Sequence, residues 1–207
     1  ALVPVFLYEF YQKLGMTHSR ACYTLHNMGH QGVVGEYILR QVGLDPQRLM
    51  VMERLQDPGN ARAVNLMKGG IVFSNFVTTV SPRYAWEIQN TEQGMGLQET
   101  LVQHGAKFGG VLNGIDYESW NPLTDGLIPR NYGPDSLPDK ALNTSALRRR
   151  LGLEEERRPL VALVSRLDAQ KGVDLMLHGI RYALANECQV VLLGSAQDPK
   201  IDAAFRN

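Results

Sequence analysis

The sequence predicts an α/β protein built on parallel sheets and divided into two units. Three observations predict it. Short apolar runs at Ala21–Leu25, Phe76–Val80, Phe108–Leu112, Leu160–Val164 and Val190–Leu193 alternate with stretches of helical spacing, the sequence form of parallel βαβ units. The runs break directly into polar residues, as buried strands do at functional loops. Between the third and fourth runs, Asn121 to Pro138 holds Pro122, Pro129, Pro134 and Pro138 with Gly126 and Gly133, and no apolar period survives there. Residues 1–113 therefore read as the later part of one α/β domain, 114–157 as a hinge or linker, and 158–207 as the start of another.

The elements follow in order. Leu2 to Leu14 places Val3, Phe6, Leu7, Phe10 and Leu14 at helical spacing. Ala21–Leu25 is a strand that breaks into His26-Asn27. Asn60 to Phe73 reads as one helix weakened by Gly69-Gly70, and Phe76–Val80 as a β-branched strand. Ser81-Pro82 puts a capping hydroxyl before a proline at the first helical position. Leu97–His104 is a short helix and Phe108–Leu112 a strand. Past the Pro/Gly-rich stretch, Asp139–Leu151 is a helix with a basic end and Leu160–Val164 a strand. Lys171–Ala185 is an amphipathic helix with Val173, Met176, Leu177, Ile180 and Leu184 on one face. Val190–Leu193 is a strand ending at Gly194-Ser195, and Asp202–Asn207 an opening helical turn. The apolar start, a first residue Ala1 and this late helical turn lead us to expect a piece of a longer chain. No 20–50-residue repeat is visible, which argues against a solenoid.

Composition narrows the function. The chain has 207 residues, 44% hydrophobic and 20% charged, an ordinary globular balance. Lys and Arg number 21, as do Asp and Glu, so the near-zero net charge argues against a nucleic-acid partner. Cys22 and Cys188 stand far apart and read as two buried thiols in a reducing compartment. No apolar run approaches the roughly 20 residues of a membrane helix, and no signal peptide is visible.

Ligands of open parallel sheets bind outside the carboxyl ends of the strands. Four places there carry chemistry: His26-Asn27 with Gln31-Gly32, Ser81-Pro82, Asn113-Gly114, and Ser165-Arg166 followed by Gln170-Lys171-Gly172. The last is the sharpest. Arg166 and Lys171 stand on a strand-to-helix loop beside a helix N-terminus, which suits a diphosphate: Arg as a planar fork, Lys as a compact charge. The same residues also fit surface cations, with Arg166 pairing to Asp168. The loop is neither a P-loop nor a dinucleotide fingerprint. Ser81 reads as a helix cap, without G-x-S-x-G around it. Asp116 and Glu118 read as loop carboxylates rather than a glycosidase pair. Arg148-Arg149-Arg150 and Arg157-Arg158 read as solvated surface, and Trp120 as packing the hinge. His18, His30, His104 and His178 have no context beyond structure.

Several stretches together resemble the glycogen and starch synthase family. Thr24-Leu25-His26-Asn27 with Gln31-Gly32 resembles its T-x-H-N-x-x-x-Q-G, and Val77 to Ala85 its V-T-T-V-S-P-x-Y-A. Gly96-Leu97 is similar to its G-L before the helix leading to the hinge. Val111-Leu112-Asn113-Gly114-Ile115-Asp116 with Trp120-Asn121-Pro122 resembles L-N-G-I-D…W-N-P, and Ser165 to Gly172 resembles S-R-L-x-x-Q-K-G. The segments occur in the family's order over nearly the whole chain, with details closer to plant and cyanobacterial starch synthases than to animal glycogen synthases.

The resemblance implies a GT-B architecture of two Rossmann-like parallel-sheet domains, both incomplete here. It implies a retaining glucosyltransferase that moves glucose from ADP-glucose to an α-1,4-glucan, with no cofactor and no metal. Arg166 and Lys171 match the pair that holds the donor diphosphate and stabilises departing ADP. His26 matches the histidine beside the transferred glucose, with Asn27 next to it, and Asn113 matches the hinge-side asparagine near the sugar. Gly194, at the end of the last strand, joins the expected substrate-binding residues. The family's setting would be the cytoplasm, or the plastid stroma in a plant or alga. Its K-x-G-G-L and H-D-W segments would precede Ala1 and its E-x-x-G-L segment would follow Asn207, so this stretch alone is expected to be inactive. Two alternatives stay open: another retaining GT-B transferase with a different nucleotide sugar, and a non-catalytic module that binds glucan or nucleotide.

Overall fold

The structure, a computed structural model, describes residues 1–155 and 158–206. The chain divides into two compact units, Ala1–Gly114 and Ile115 onward.

In the first unit, helix α1 (Val3–Phe6) passes directly into a π-helical turn, Leu7–Tyr11. The predicted helical spacing is thus present, but α-helical bonding stops at Phe6. Strand β1 (Cys22–Leu25) follows, then β2 (Val33–Gly35), helices α2 (Tyr37–Gln41) and α3 (Pro46–Leu49), and strands β3 (Gln56–Asp57) and β4 (Asn60–Asn65). Helix α4 (Leu66–Phe73), strand β5 (Phe76–Thr79), helices α5 (Pro82–Asn90) and α6 (Gln98–Gln103) and strand β6 (Phe108–Gly110) complete it. β1, β5 and β6 form a parallel sheet in the order β1-β5-β6. β2, β4 and β3 form a small antiparallel sheet that the sequence pattern did not disclose.

The single helix expected over Asn60–Phe73 is corrected: its first half is strand β4 and only Leu66–Phe73 is helical. Asn65 is the reason. Its backbone is extended, and its side chain accepts from Lys68 N–H at 3.0 Å, so the helix cannot extend backward through it. Gly69 and Gly70 serve packing. A Cβ at Gly70 would lie 2.6 Å from the Tyr23 ring and one at Gly69 3.0 Å from Leu55, so α4 sits close against its neighbours where both residues stay bare. Leu25, Met28, Met67, Ile71, Val77, Ile88, Leu97 and Leu101 form the core of this region, and Val5, Leu39, Leu44, Leu49, Leu55 and Val64 form a second cluster.

In the second unit, helix α7 (Lys140–Leu151) precedes strand β7 (Leu160–Val164), helix α8 (Val173–Ala185), strand β8 (Gln189–Leu193) and helix α9 (Pro199–Arg206). β7 and β8 pair in parallel from Leu160 opposite Gln189 to Val164 opposite Leu193. α8 begins two residues later than its pattern predicts, because Ala169–Lys171 form a 3-10 turn and Gly172 is left-handed (φ 70°). Leu184 is exposed, not packed; Ala183 is buried instead, where Cys188 N–H bonds its carbonyl at 2.9 Å and folds the chain back over it.

Three further expectations are corrected. Arg148, expected on the surface, is 9% exposed. Its Nε donates to Gln189 Oε1 at 2.7 Å and its Nη2 to the Arg158 carbonyl, so β8 supplies the partner that sequence proximity could not. Arg149 and Arg150 are exposed as expected, and Arg157 lies outside the described residues. Trp120 is 76% exposed, because its neighbours form irregular surface chain and not a packed element. The cysteines are free thiols; Cys22 is exposed on an edge strand and Cys188 half-buried in the turn after α8. No helix among the described residues is long and apolar enough to cross a membrane.

Candidate active site

The parallel order β1-β5-β6 makes three loops leave the same edge of the first sheet. His26 follows β1, Ser81 follows β5, and Asn113 lies three residues past β6. The ends of β1 and β5 are tied together: Thr79 Oγ1 donates to the Leu25 carbonyl at 2.7 Å, and the Thr24 and Thr78 hydroxyls bond at 2.8 Å. Val111 N–H donates to the Thr79 carbonyl at 2.8 Å, which draws the β6 exit to the same edge. His26 and Asn113 are exposed there, and Asn27 is half-buried.

Asn27 Oδ1 accepts from Gly29 N–H at 2.8 Å and shapes the loop after His26. Met28 is buried below it, and Gln31 Nε2 donates to the Met95 carbonyl at 2.9 Å. Ser81 caps α5 as predicted, accepting from Tyr84 N–H at 2.9 Å. A cavity of about 740 Å³ opens beside this loop, walled by Met28–Val33, Asp57–Gly59 and Met95–Gly96.

Sequence reasoning missed the polar group under that cavity. Asn65 and Lys68 are buried, with Asp57 beside them. Lys68 Nζ donates to the carbonyls of Met52 and Gln56, the latter at 2.9 Å. Burial pushes the Lys68 ammonium below its ordinary pKa, and Asp57, Glu53 and Glu99 partly offset this. The one local signal was Asn65 three residues before Lys68, the spacing of a side-chain cap. Asp116, by contrast, is a turn former: it accepts from Ser119 Oγ at 2.7 Å and from the Ser119 and Glu118 N–H groups. Those bonds hold its carboxyl below the usual range.

In the second unit, Ser165 N–H donates to the Leu193 carbonyl (3.1 Å) and Leu167 N–H to the Ser195 carbonyl (2.9 Å), extending the β7–β8 pairing into the loop. Leu167 is buried and anchors it. Arg166 projects outward, its side chain 74% exposed, with Nη2 3.6 Å from Asp168 Oδ2. That pairing is loose and solvated, of the kind worth about 0–1 kcal/mol. Arg166 lines a cavity of about 350 Å³ with Asp168, Ser195, Gln197, Asp198 and Ile201. Lys171 is exposed at the end of the 3-10 turn and borders a different, apolar depression of about 560 Å³ with Leu175, Met176 and Tyr182. The two cations share a loop but line these two different cavities. Gly194 closes the strand edge: a Cβ there would lie 2.3 Å from the Ser165 carbonyl oxygen.

Comparison with known proteins decides the family. A profile of the starch synthase catalytic domain matches residues 1–103. The chain is 58% identical over 204 residues to glycogen synthase 1 of Nitrosococcus oceani, covering 99% of this chain and 42% of that protein. It belongs to the glycogen and starch synthase family. Glycogen synthase 2 of Methylococcus capsulatus is 51% identical over 206 residues, again covering 99% and 42%. Among solved structures, the catalytic domain of starch synthase IV from Arabidopsis thaliana, bound to ADP and acarbose, matches with a TM-score of 0.93 at 44% identity. That match covers 99% of this chain and 42% of the other. The family resemblance carried by the motifs is borne out, and so is the α/β fold with parallel sheets. The chain spans about two-fifths of the length of these relatives.

Proposed function

We propose that the protein containing this chain is a retaining glucosyltransferase that elongates an α-1,4-glucan with glucose from ADP-glucose. The observation that carries the reading is family membership joined to the position of the motifs. His26 and Asn113 stand at one sheet's carboxyl edge, and Arg166 and Lys171 stand on the loop leaving β7. The binding of ADP by the Arabidopsis relative supports an adenosine diphosphate donor. In this reading the two units are parts of the two Rossmann-like domains of a GT-B enzyme, with residues 114–157 as the hinge. Arg166, exposed and only loosely engaged by Asp168, is available to a diphosphate. Lys171 supplies a second positive charge near the N-terminus of α8.

As the bond between glucose and diphosphate breaks, negative charge grows on the leaving oxygen. Cations aimed there stabilise the transition state more than the ground state. His26 and Asn27 position the sugar, Asn113 contacts it from the hinge side, and Gly194, exposed past the end of β8, meets the donor through its backbone. The test is elongation of glycogen by the full-length protein with labelled ADP-glucose and, separately, UDP-glucose. Incorporation from ADP-glucose is the expected result. Incorporation from UDP-glucose alone would overturn the donor assignment, and none from either would overturn the reading.

A further inference from the structure

Beneath the 740 Å³ cavity lies a chain of hydrogen bonds whose direction is fixed at one end. Asn65 is fully buried, and its amide has two N–H donors. One meets Asp57 Oδ2 at 2.9 Å and the other Gln31 Oε1 at 2.6 Å. Asp57 is buried too, and its second oxygen accepts from Gly59 N–H at 3.0 Å. An ionised carboxylate only accepts, so Asp57 dictates which way the Asn65 amide points. Asn65 then engages the oxygen of Gln31, which leaves Gln31 Nε2 to donate to the Met95 carbonyl at 2.9 Å. Met95 has a left-handed backbone (φ 47°), a conformation that costs a residue with a Cβ and persists where its surroundings hold it. Gln31, Asp57 and Met95 all reach the cavity wall.

The chemistry of that wall selects its ligand. Asp57 is the formally charged residue among Met28–Val33, Asp57–Gly59 and Met95–Gly96, and it is negative. The wall itself offers a diphosphate no lysine or arginine, and the Lys68 ammonium beneath it is engaged by the Met52 and Gln56 carbonyls. Amide and carboxylate groups set among Met28, Val33, Pro58 and Met95 suit a neutral polyhydroxylated chain, with hydrogen bonds at its rim and apolar contact on its faces.

We propose that Asn65 is a positioning residue for the glucan acceptor: by orienting Gln31 it holds the left-handed Met95 turn as one wall of the cavity beside the loop that carries His26 and Asn27. The proposal rests on the glucosyl-transfer reading above. It makes the direction of the hydrogen bonds functional, and not merely their presence.

Direction is separable from presence by exchanging two residues, Asp57→Asn with Asn65→Asp, in the full-length protein. The bond between positions 57 and 65 survives with donor and acceptor swapped. The α4 cap and the Gly59 turn also survive, since both need only an oxygen. What changes is that a carboxylate now faces Gln31. Gln31 must turn its Nε2 inward and present its oxygen to the Met95 carbonyl. We expect a near-native melting temperature, an acceptor KM for maltooligosaccharide raised about tenfold, and a KM for ADP-glucose within about twofold.

Gln31→Met, which removes the same link without a charge change, should raise the acceptor KM in the same direction, and it decides the matter if the exchanged pair does not fold. An unchanged acceptor KM in a folded variant overturns the proposal, as does an equal rise in both KM values. A wild-type protein that elongates no glucan instead defeats the glucosyl-transfer reading, which separates the two failures.

Discussion

The two units solve one problem in the same way and a second in opposite ways. Each has a serine within two residues after a parallel strand, and each places a glycine of the adjoining strand edge against that serine's carbonyl. A Cβ at Gly110 would lie 2.2 Å from the Ser81 oxygen, and one at Gly194 2.3 Å from the Ser165 oxygen. The edges differ in how their polar side chains are used. In the first unit they are spent on each other: Ser81 caps a helix, Thr79 ties two strands, and Gln31, Asn65 and Asp57 bond in series. In the second, backbone bonds hold the loop and the cations project into solvent. On the proposed reading, the wall that faces a neutral glucan is held by its own hydrogen bonds, whereas the loop proposed for a diphosphate leaves its cations free for the ligand.

The largest expected effect tests that contrast at the cations. Lys171→Ala or Arg166→Ala in the full-length protein should lower turnover at saturating donor by on the order of 10²–10³. The melting temperature should stay near native, because neither side chain is packed. Lys171→Arg should recover little, since a planar guanidinium does not reproduce a compact ammonium. Near-normal turnover in both alanine variants would reduce the loop to surface charge. His26→Ala should also lower turnover strongly in a folded protein, as expected of a group that positions the sugar.

The shared device is tested at the glycines. Gly110→Ala and Gly194→Ala should each destabilise the protein by about 1–3 kcal/mol, because the added carbon meets backbone that cannot yield as a side chain can. Denaturant unfolding reads this directly. A neutral outcome at one position alone would show that the two edges are alike only in appearance.

Arg148 sharpens the comparison within the basic run. Arg148→Ala strands the Gln189 oxygen and should cost about 1.5–3 kcal/mol, whereas Arg150→Ala should change stability by less than about 0.5 kcal/mol. Equal effects would refute a buried role for Arg148.

The smallest effect concerns pH. Burial, and secondarily the Lys107 charge, lower the His104 pKa from its ordinary 6.5. The unfolded chain then binds more protons than the native one between the folded value and 6.5. The neutral histidine's contribution is therefore fully present above 6.5 and is lost as pH falls through the folded value. His104→Gln should flatten that part of the stability profile; an unchanged profile would remove His104 as its source.

What the sequence determined by itself was whatever depends on near neighbours. The strands at Phe76–Thr79 and Leu160–Val164 announce themselves by composition, the start of α5 by Ser81-Pro82, and the family by motifs each a few residues long. His26, Asn27, Asn113, Arg166, Lys171 and Gly194 are proposed for the site on the same grounds, since each stands at the end of an apolar run or within such a motif. Tertiary structure decided what depends on distant partners. Arg148 is buried because Gln189, 41 residues away, meets it, and Asn65 orients Gln31 across 34 residues. Asn60–Asn65 became a strand because Asp57, Pro58 and Gly59 turn the chain back on it and Asn65 stops the helix behind it. The placement of Arg166 and Lys171 on separate cavities was equally out of reach, since it depends on how α8 and α9 pack around their loop. Local spacing fixes which side chains can face one way, but burial and hydrogen-bond direction are properties of whatever the rest of the chain brings to meet them.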